Sequence, residues 1–141
     1  MTYHPTQGAE MLLVDVLGAA AALSGVPIRR AVDDDQKTRP MVIVSCVVRE
    51  PLIPDGLYSV FQIDLSVTIE TQFAQTPSAE HDVLIQAVGA AIPEIGVYSA
   101  AQPYFEKVFF GPTHAGQETQ NDLVRIYSFE SYLVGRLTIP S

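Results

Sequence analysis

The sequence predicts an α+β fold in which an antiparallel β-sheet packs against two helices and a long β-hairpin closes the chain. Residues 61–70 alternate apolar and polar side chains without a break, which is typical of a strand with one face on a core and one towards water. Residues 9–23 and 78–92 have helical composition and spacing, and β-like segments fill much of the rest. This order favours an antiparallel sheet with one wet face.

Length and composition fit a single domain spanning residues 1–141. A chain of this length buries roughly 70% of the surface that its unfolded form exposes, so it needs no covalent staple. The single cysteine, Cys46, excludes an internal disulfide. Because no signal-peptide pattern is present near residue 1, we expect a reducing, cytosolic site of synthesis. No apolar run reaches the roughly 20 residues of a membrane span.

The charge balance is acidic. The chain has 16 acidic and 8 basic residues and a net charge of −8. Its few Lys and Arg are scattered, which argues against a surface that grips nucleic-acid phosphates. Charged residues make up only 17% of the chain and apolar ones 48%, against a usual charged share of about 25%. We therefore expect some apolar surface to face neighbouring molecules.

The first helix is predicted over residues 9–23. It ends at Ser24 and Gly25, with Pro27 beyond, and Gly followed by Pro is a typical helix stop. The segment is apolar almost all round, which indicates burial on more than one side.

Two strands and a turn follow this helix. A short strand over residues 28–32 leads into a polar connection, 33–39, and then into a β-branched run, 41–48, that favours a buried strand. The Pro-Asp-Gly sequence at 54–56 supplies turn chemistry. The β-branched run and the alternating strand 61–70 are therefore predicted to form a hairpin.

The second helix is predicted to begin near Thr76, with Pro77 in its first turn. Glu80 and Asp82 place negative charge near its N-terminus, where the helix dipole favours it. Apolar residues then recur at helical spacing until the helix stops before Pro93.

Short strands are predicted over residues 97–98, 104–110 and 123–137. Between the last two lies a polar stretch, 111–122, that is too long for a tight turn and is interpreted as a protruding hairpin loop. We expect this loop and the 33–39 connection to be mobile in the isolated chain and ordered against a neighbour.

The residues offer little for catalysis. Cys46 lies inside an apolar strand, where a small buried hydrophobe is the better interpretation than a nucleophile. Asp64 and Glu70 share the outer face of their strand, but without predicted burial they resemble ordinary solvent-facing or subunit-facing surface. The sequence has no Gly-rich phosphate loop and no Gly-x-Ser-x-Gly elbow. We predict no catalytic residue and no cofactor.

Metal ligands are not predicted either. His4, His81 and His114 lie in three unrelated segments, and none has a His or Cys at a metal-ligand spacing. Three consecutive aspartates at 33–35 could face a hard cation, but they lack the alternating ligands and glycine of a calcium loop, so a solvated acidic turn is favoured.

The order of these elements resembles a known family. The chain has a proline followed by a β-branched run at 40–48, an Asp-Gly turn at 55–56, an aromatic-Gln-Ile-Asp-Leu strand at 61–65 and an Ala-rich helix at 79–91. This order resembles the tail-completion or tail-terminator proteins of tailed bacteriophages. The resemblance covers residues 9–92, and the closing strand fits the C-terminal strand of that family. The acidic connection and the 111–122 stretch have no place in its pattern.

The resemblance implies a structural virion protein and not an enzyme. It implies a homohexameric ring that ends the tail tube at the head-tail junction, after synthesis in the host cytoplasm. The implied partners are the tail tube protein and the neck or connector proteins, with no membrane. DNA would pass through the lumen without specific binding, and an acidic ring suits this because negative charge repels phosphate.

Partner contacts are expected in the two polar segments, since these project from the core. The candidate inter-subunit or partner contacts are Asp33, Asp34, Asp35, Gly111, His114, Gln117 and Glu118. Two alternatives stay open. One is a neighbouring neck role, such as a head-completion or stopper protein. The other is a small α+β enzyme or ligand-binding domain with a pocket between sheet and helices.

Overall fold

A computed structural model describes residues 4–31, 40–54, 58–93, 96–98, 104–105, 107–120 and 123–138. Within them, two α-helices and a seven-stranded mixed sheet confirm the predicted α+β class. The elements are α1 (Pro5–Gly18), β1 (Ile28–Arg30), β2 (Met41–Pro54), β3 (Tyr58–Gln72), α2 (Ser78–Ala91), β4 (Gly96–Tyr98), β5 (Lys107–Phe110), β6 (His114–Gln120) and β7 (Val124–Thr138). A 3-10 helix, Ala21–Leu23, follows α1.

The sheet is built around β3 and β7. These two strands pair antiparallel from Tyr58 opposite Thr138 to Gln72 opposite Val124. The strand order is β1-β2-β3-β7-β5-β4, and β6 pairs with the part of β7 that β5 leaves free. The edge of β7 is thus divided between two strands.

One strand pair differs from the predicted antiparallel sheet. β1 runs parallel to β2, with Ile28 opposite Val42. A parallel pair requires the chain to return to the same end of the sheet between the two strands, so a tight hairpin is excluded there. The remaining pairs are antiparallel.

The first helix begins earlier than predicted. Pro5 occupies its first turn, where a missing N–H costs nothing, and the His4 ring accepts a hydrogen bond from the Thr6 N–H at 3.3 Å. The α-helix ends at Gly18, and the predicted stop at Gly25 instead follows the 3-10 helix. Gly25 has a φ of 83°, which glycine adopts without strain. The second helix matches its prediction within a residue or two.

The alternating strand has the predicted two faces. Ile63, Leu65, Val67 and Ile69 are buried, and the polar residues between them are half-buried. We call the side of the sheet that carries these buried residues the inner face, and the opposite side the outer face. The buried core of the described residues includes Leu12, Leu13, Leu17, Val42, Val44, Cys46, Ile63, Leu65, Val67, Ile69, Val88, Phe110 and Leu133.

Both helices pack on the inner face. The buried leucines of α1 belong to the same cluster as the inner residues of β2 and β3. Gly89 of α2 lies against the Phe129 ring of β7, so close that a Cβ there would be 3.0 Å from the ring. The two helices therefore form one layer over the sheet.

A buried carboxylate joins α1 to the sheet. One oxygen of Glu10 accepts a hydrogen bond from the Arg30 Nε of β1 at 2.9 Å, and the other accepts from the Cys46 N–H of β2 at 3.2 Å. Cys46 is 5% exposed, which confirms its predicted burial. That burial, with the nearby Glu10 charge, raises the pKa of the Cys46 thiol far above its usual range. The thiol is therefore neutral and unreactive.

Removing the Glu10 carboxylate should destabilise the fold. We expect Glu10→Ala to lower the free energy of unfolding by about 3 kcal/mol, since it leaves a part-buried guanidinium and a buried N–H without their acceptor. Denaturant unfolding would measure this. Glu130→Gln, at an exposed carboxylate, is the control and should change stability by less than about 0.5 kcal/mol. Equal effects of the two changes would contradict the assigned role of Glu10.

Candidate functional site

The outer face of the sheet carries a mixed surface. In the part of the chain that the structure describes, neither helix covers it. Directly opposite residues in neighbouring strands share a face, so the strand registers assign its members. They include Ile43, Ser45, Val47, Val60, Gln62, Asp64, Ser66, Thr68, Glu70, Lys107, Phe109, Ile126, Ser128, Glu130, Tyr132, Val134 and Arg136.

A groove lies where β3, β7 and β5 meet on this face. It has a volume of about 180 Å³, and Phe109 in it is 43% exposed. We call it the basic groove and define it by Val60, Lys107, Phe109, Val134 and Arg136. Its apolar side chains form the floor, and two of the eight basic residues of the chain lie at its rim. An apolar surface with a cationic rim suits an acidic protein partner.

A second exposed surface lies on the first turns of α2. Val83 is 63% exposed, and Glu80 and Asp82 beside it are exposed as well. Glu80 shares a helix face with Val83 at spacing i, i+3, whereas Asp82 projects to the other side of Val83. We call these three residues the acidic turn.

A chain of polar contacts, buried at Thr71 and His81, connects β3, α2 and β6. The Thr71 hydroxyl and His81 Nδ1 are 2.8 Å apart, and His81 Nε2 and a Glu118 carboxylate oxygen are 2.6 Å apart. If His81 donates from Nε2 to Glu118, its Nδ1 accepts from the Thr71 hydroxyl, so all three groups are satisfied. The partners lie 10 and 37 residues from His81 in sequence. No local spacing could have indicated this contact.

The same order of groups, hydroxyl, imidazole and carboxylate, activates nucleophiles in hydrolases. Here Thr71 is 0% exposed and His81 is 1% exposed. A substrate carbonyl has no approach to a hydroxyl that has no exposed surface. The chain of hydrogen bonds therefore anchors β6 and α2 to the sheet.

The predicted loop over residues 111–122 is wrong. Residues His114–Gln120 form β6, which pairs antiparallel with β7, with an irregularity between Ala115 and Glu118. The segment HAGQETQ has only one β-branched residue, Thr119, and one apolar side chain, Ala115. Such a polar composition is tolerated because β6 is an edge strand, with no partner on its outer edge among the described residues. The pairing with β7 and the contact between Glu118 and His81 hold β6 in place.

The candidate contact residues in this segment lie in different environments. Gly111 is buried against the Tyr132 ring, and its N–H donates to the Tyr132 carbonyl at 2.9 Å. His114 is exposed at the start of β6, opposite Glu130. Gln117 lies at the strand irregularity. Glu118 lies opposite Tyr127 on the inner face and contacts His81, and its side chain is 36% exposed.

The remaining candidates, Asp33, Asp34 and Asp35, lie outside the described residues. Among the residues that are described, no group of three or more His, Cys, Asp or Glu side chains could hold a metal ion. No helix in the same part of the chain is long and apolar enough to cross a membrane.

A cleft of about 390 Å³ lies between α1 and β1. Its walls include Met11, Val14, Asp15, Ile28 and Arg29. The Arg29 Nε is buried and has no hydrogen-bond partner in the described structure. Asp15 is already engaged, since it accepts a hydrogen bond from the Tyr104 hydroxyl at 2.5 Å. We call this the arginine cleft.

Comparisons with known proteins show the fold and no family. No protein-family model matches the sequence, and no curated protein matches it significantly. A solved structure of a protein without a functional name is similar, with a TM-score of 0.53 and 16% sequence identity. The match covers 96% of this chain and 94% of that one. At this identity the similarity establishes a shared architecture alone.

Adding a methyl group at Gly116 should release β6 from the sheet. A Cβ there would lie 2.4 Å from the Ser128 carbonyl oxygen of β7, so the backbones must separate. We expect Gly116→Ala to lower the free energy of unfolding by about 2 kcal/mol and to speed amide hydrogen exchange in β6. Gly18→Ala is the control, because no atom lies within 4 Å of its Cβ position. Unchanged exchange in β6 would contradict the pairing.

Proposed function

We propose that this chain is a structural virion protein that forms a ring at the end of a bacteriophage tail tube and joins the tube to the neck. The observation that carries the proposal is the outer face of the sheet, which the helices leave uncovered in the described structure. Two large apolar side chains on this face are exposed, Phe109 by 43% and Val47 by 62%. The link to phage tails rests on the resemblance in the order of elements.

An exposed apolar face favours association. Large apolar side chains left in water are stabilised when a second protein covers them. Repetition of one contact around a rotation axis covers such a surface in every subunit and leaves no free end. A ring therefore buries the apolar surface that a monomer leaves exposed to water.

The charge supports a role around DNA. A net charge of −8 per chain becomes large when several copies surround one lumen. Such a lumen repels phosphate, so DNA passes without being held. The proposed partners are the tail tube protein on one side and neck proteins on the other, and the proposed location is the head-tail junction of the virion.

Imaging of phage particles tests this proposal. We expect cryo-electron microscopy of particles that carry a tagged copy of this protein to place it as a sixfold ring between tail tube and neck. A ring nearer the head, against the connector, would favour the alternative head-completion or stopper role. Absence of the protein from purified virions would remove both structural roles.

The arginine cleft supports a second candidate, a ligand-binding domain. The cleft combines apolar walls from Met11, Val14 and Ile28 with the Arg29 side chain. A carboxylate that reaches the guanidinium group would pair with its charge while apolar atoms contact those walls. The ligand class is therefore a small carboxylate with an apolar tail.

Titration with butyrate, followed by the backbone amide signals of the cleft residues Val14 and Ile28 in NMR spectra, tests this second candidate. It predicts a saturable shift that Arg29→Lys weakens and that the matched Arg136→Lys variant retains. Absence of a saturable shift at these amides would exclude carboxylate binding in the cleft and leave the structural proposal unaffected.

A further inference from the structure

We infer that the basic groove of one copy receives the acidic turn of the next copy, so that subunits join head to tail. The inference deepens the proposed ring and rests on it, because it names the two surfaces that a repeating contact would use. The partner is a second copy of this chain.

The two surfaces carry complementary charges. Two chains that each carry a net charge of −8 repel one another unless their contact pairs unlike charges. The rim of the groove supplies Lys107 and Arg136, and the acidic turn supplies Glu80 and Asp82. The N-terminus of α2 contributes only about half a positive charge through its dipole, which the two carboxylates outweigh.

The apolar parts of the two surfaces also match. The floor of the groove presents Phe109, and the acidic turn presents Val83 between its carboxylates. Each surface thus has an apolar centre and a charged border of opposite sign. This is the arrangement of interfaces that bury an apolar core inside a polar rim.

The positions of the two surfaces require different copies to meet. The groove contains Val60, near the start of β3, and α2 begins beyond Gln72, the last residue of β3. Twelve residues of strand separate these ends by about 40 Å. The groove is on the outer face, and α2 is on the inner one. A contact between unlike patches of two copies is heterologous, and it repeats into a ring or a filament.

Charge exchange tests the contact. The groove variant K107E/R136E and the turn variant E80K/D82K are each expected to lose self-association in sedimentation velocity, with the assembly midpoint rising at least tenfold in concentration. A 1:1 mixture of the two should assemble again, since every groove then finds a turn of opposite charge. The quadruple variant should also assemble, and it keeps the wild-type net charge.

Thermal unfolding of each variant serves as the control that the variant still folds. Arg136 makes other interactions within the chain, so Lys107→Glu and Glu80→Lys form a milder second pair that tests the same contact at exposed positions. Restored assembly in the mixture supports the inference together with the loss of assembly in the turn variant, because a contact between two like grooves would leave the turn variant assembled.

Three results would overturn the inference: assembly of the single-surface variants at wild-type concentrations, failure of the mixture to assemble, or a wild-type protein that stays monomeric at every concentration. None of these removes the proposed function, which depends on where the protein lies in the particle. A sixfold ring in virions together with a failed exchange would place the subunit contact elsewhere.

Discussion

The helix layer of the described structure lies on one face of the sheet only, and the distribution of side chains depends on this constraint. The inner residues of β2 and β3 are apolar because α1 and α2 cover them. The outer residues alternate with them along the same strands, so every inner position fixes the orientation of an outer neighbour. Polar side chains occupy much of the outer face, and among its apolar side chains Val47 and Phe109 are exposed. These two positions are where association with another protein is most favourable.

Two buried polar contacts hold the helix layer in place. Glu10 ties α1 to β1 and β2, and His81 ties α2 to β3 and to β6. Both groups have hydrogen-bond partners for the atoms that face the interior, which is the condition for burying them without a large penalty. Apolar packing alone would allow a helix to slide over the sheet, whereas a hydrogen bond requires one position. By fixing the positions of the helices, these contacts also determine which part of the sheet remains uncovered.

Local patterns predicted most elements, and contacts between distant residues explain the rest. The alternation in residues 61–70 predicted the two faces of β3, and the signals around Pro77 predicted the start of α2. β6 was missed because its polar residues resemble a loop, and only pairing with β7 makes it a strand. Glu10 gave no signal, since a glutamate in a helix is ordinary, and its acceptor role depends on residues 20 and 36 positions away. The basic groove joins side chains from three strands that no local spacing connects.

The central claim is that the outer face is the surface that assembly covers. Hydroxyl-radical footprinting of the wild-type protein, read residue by residue by mass spectrometry, tests it most directly when free and virion-bound protein are compared. The account predicts strong protection of Phe109 in the virion, with no change at the buried Phe110 beside it. Phe109 that is equally reactive in both samples would contradict the account.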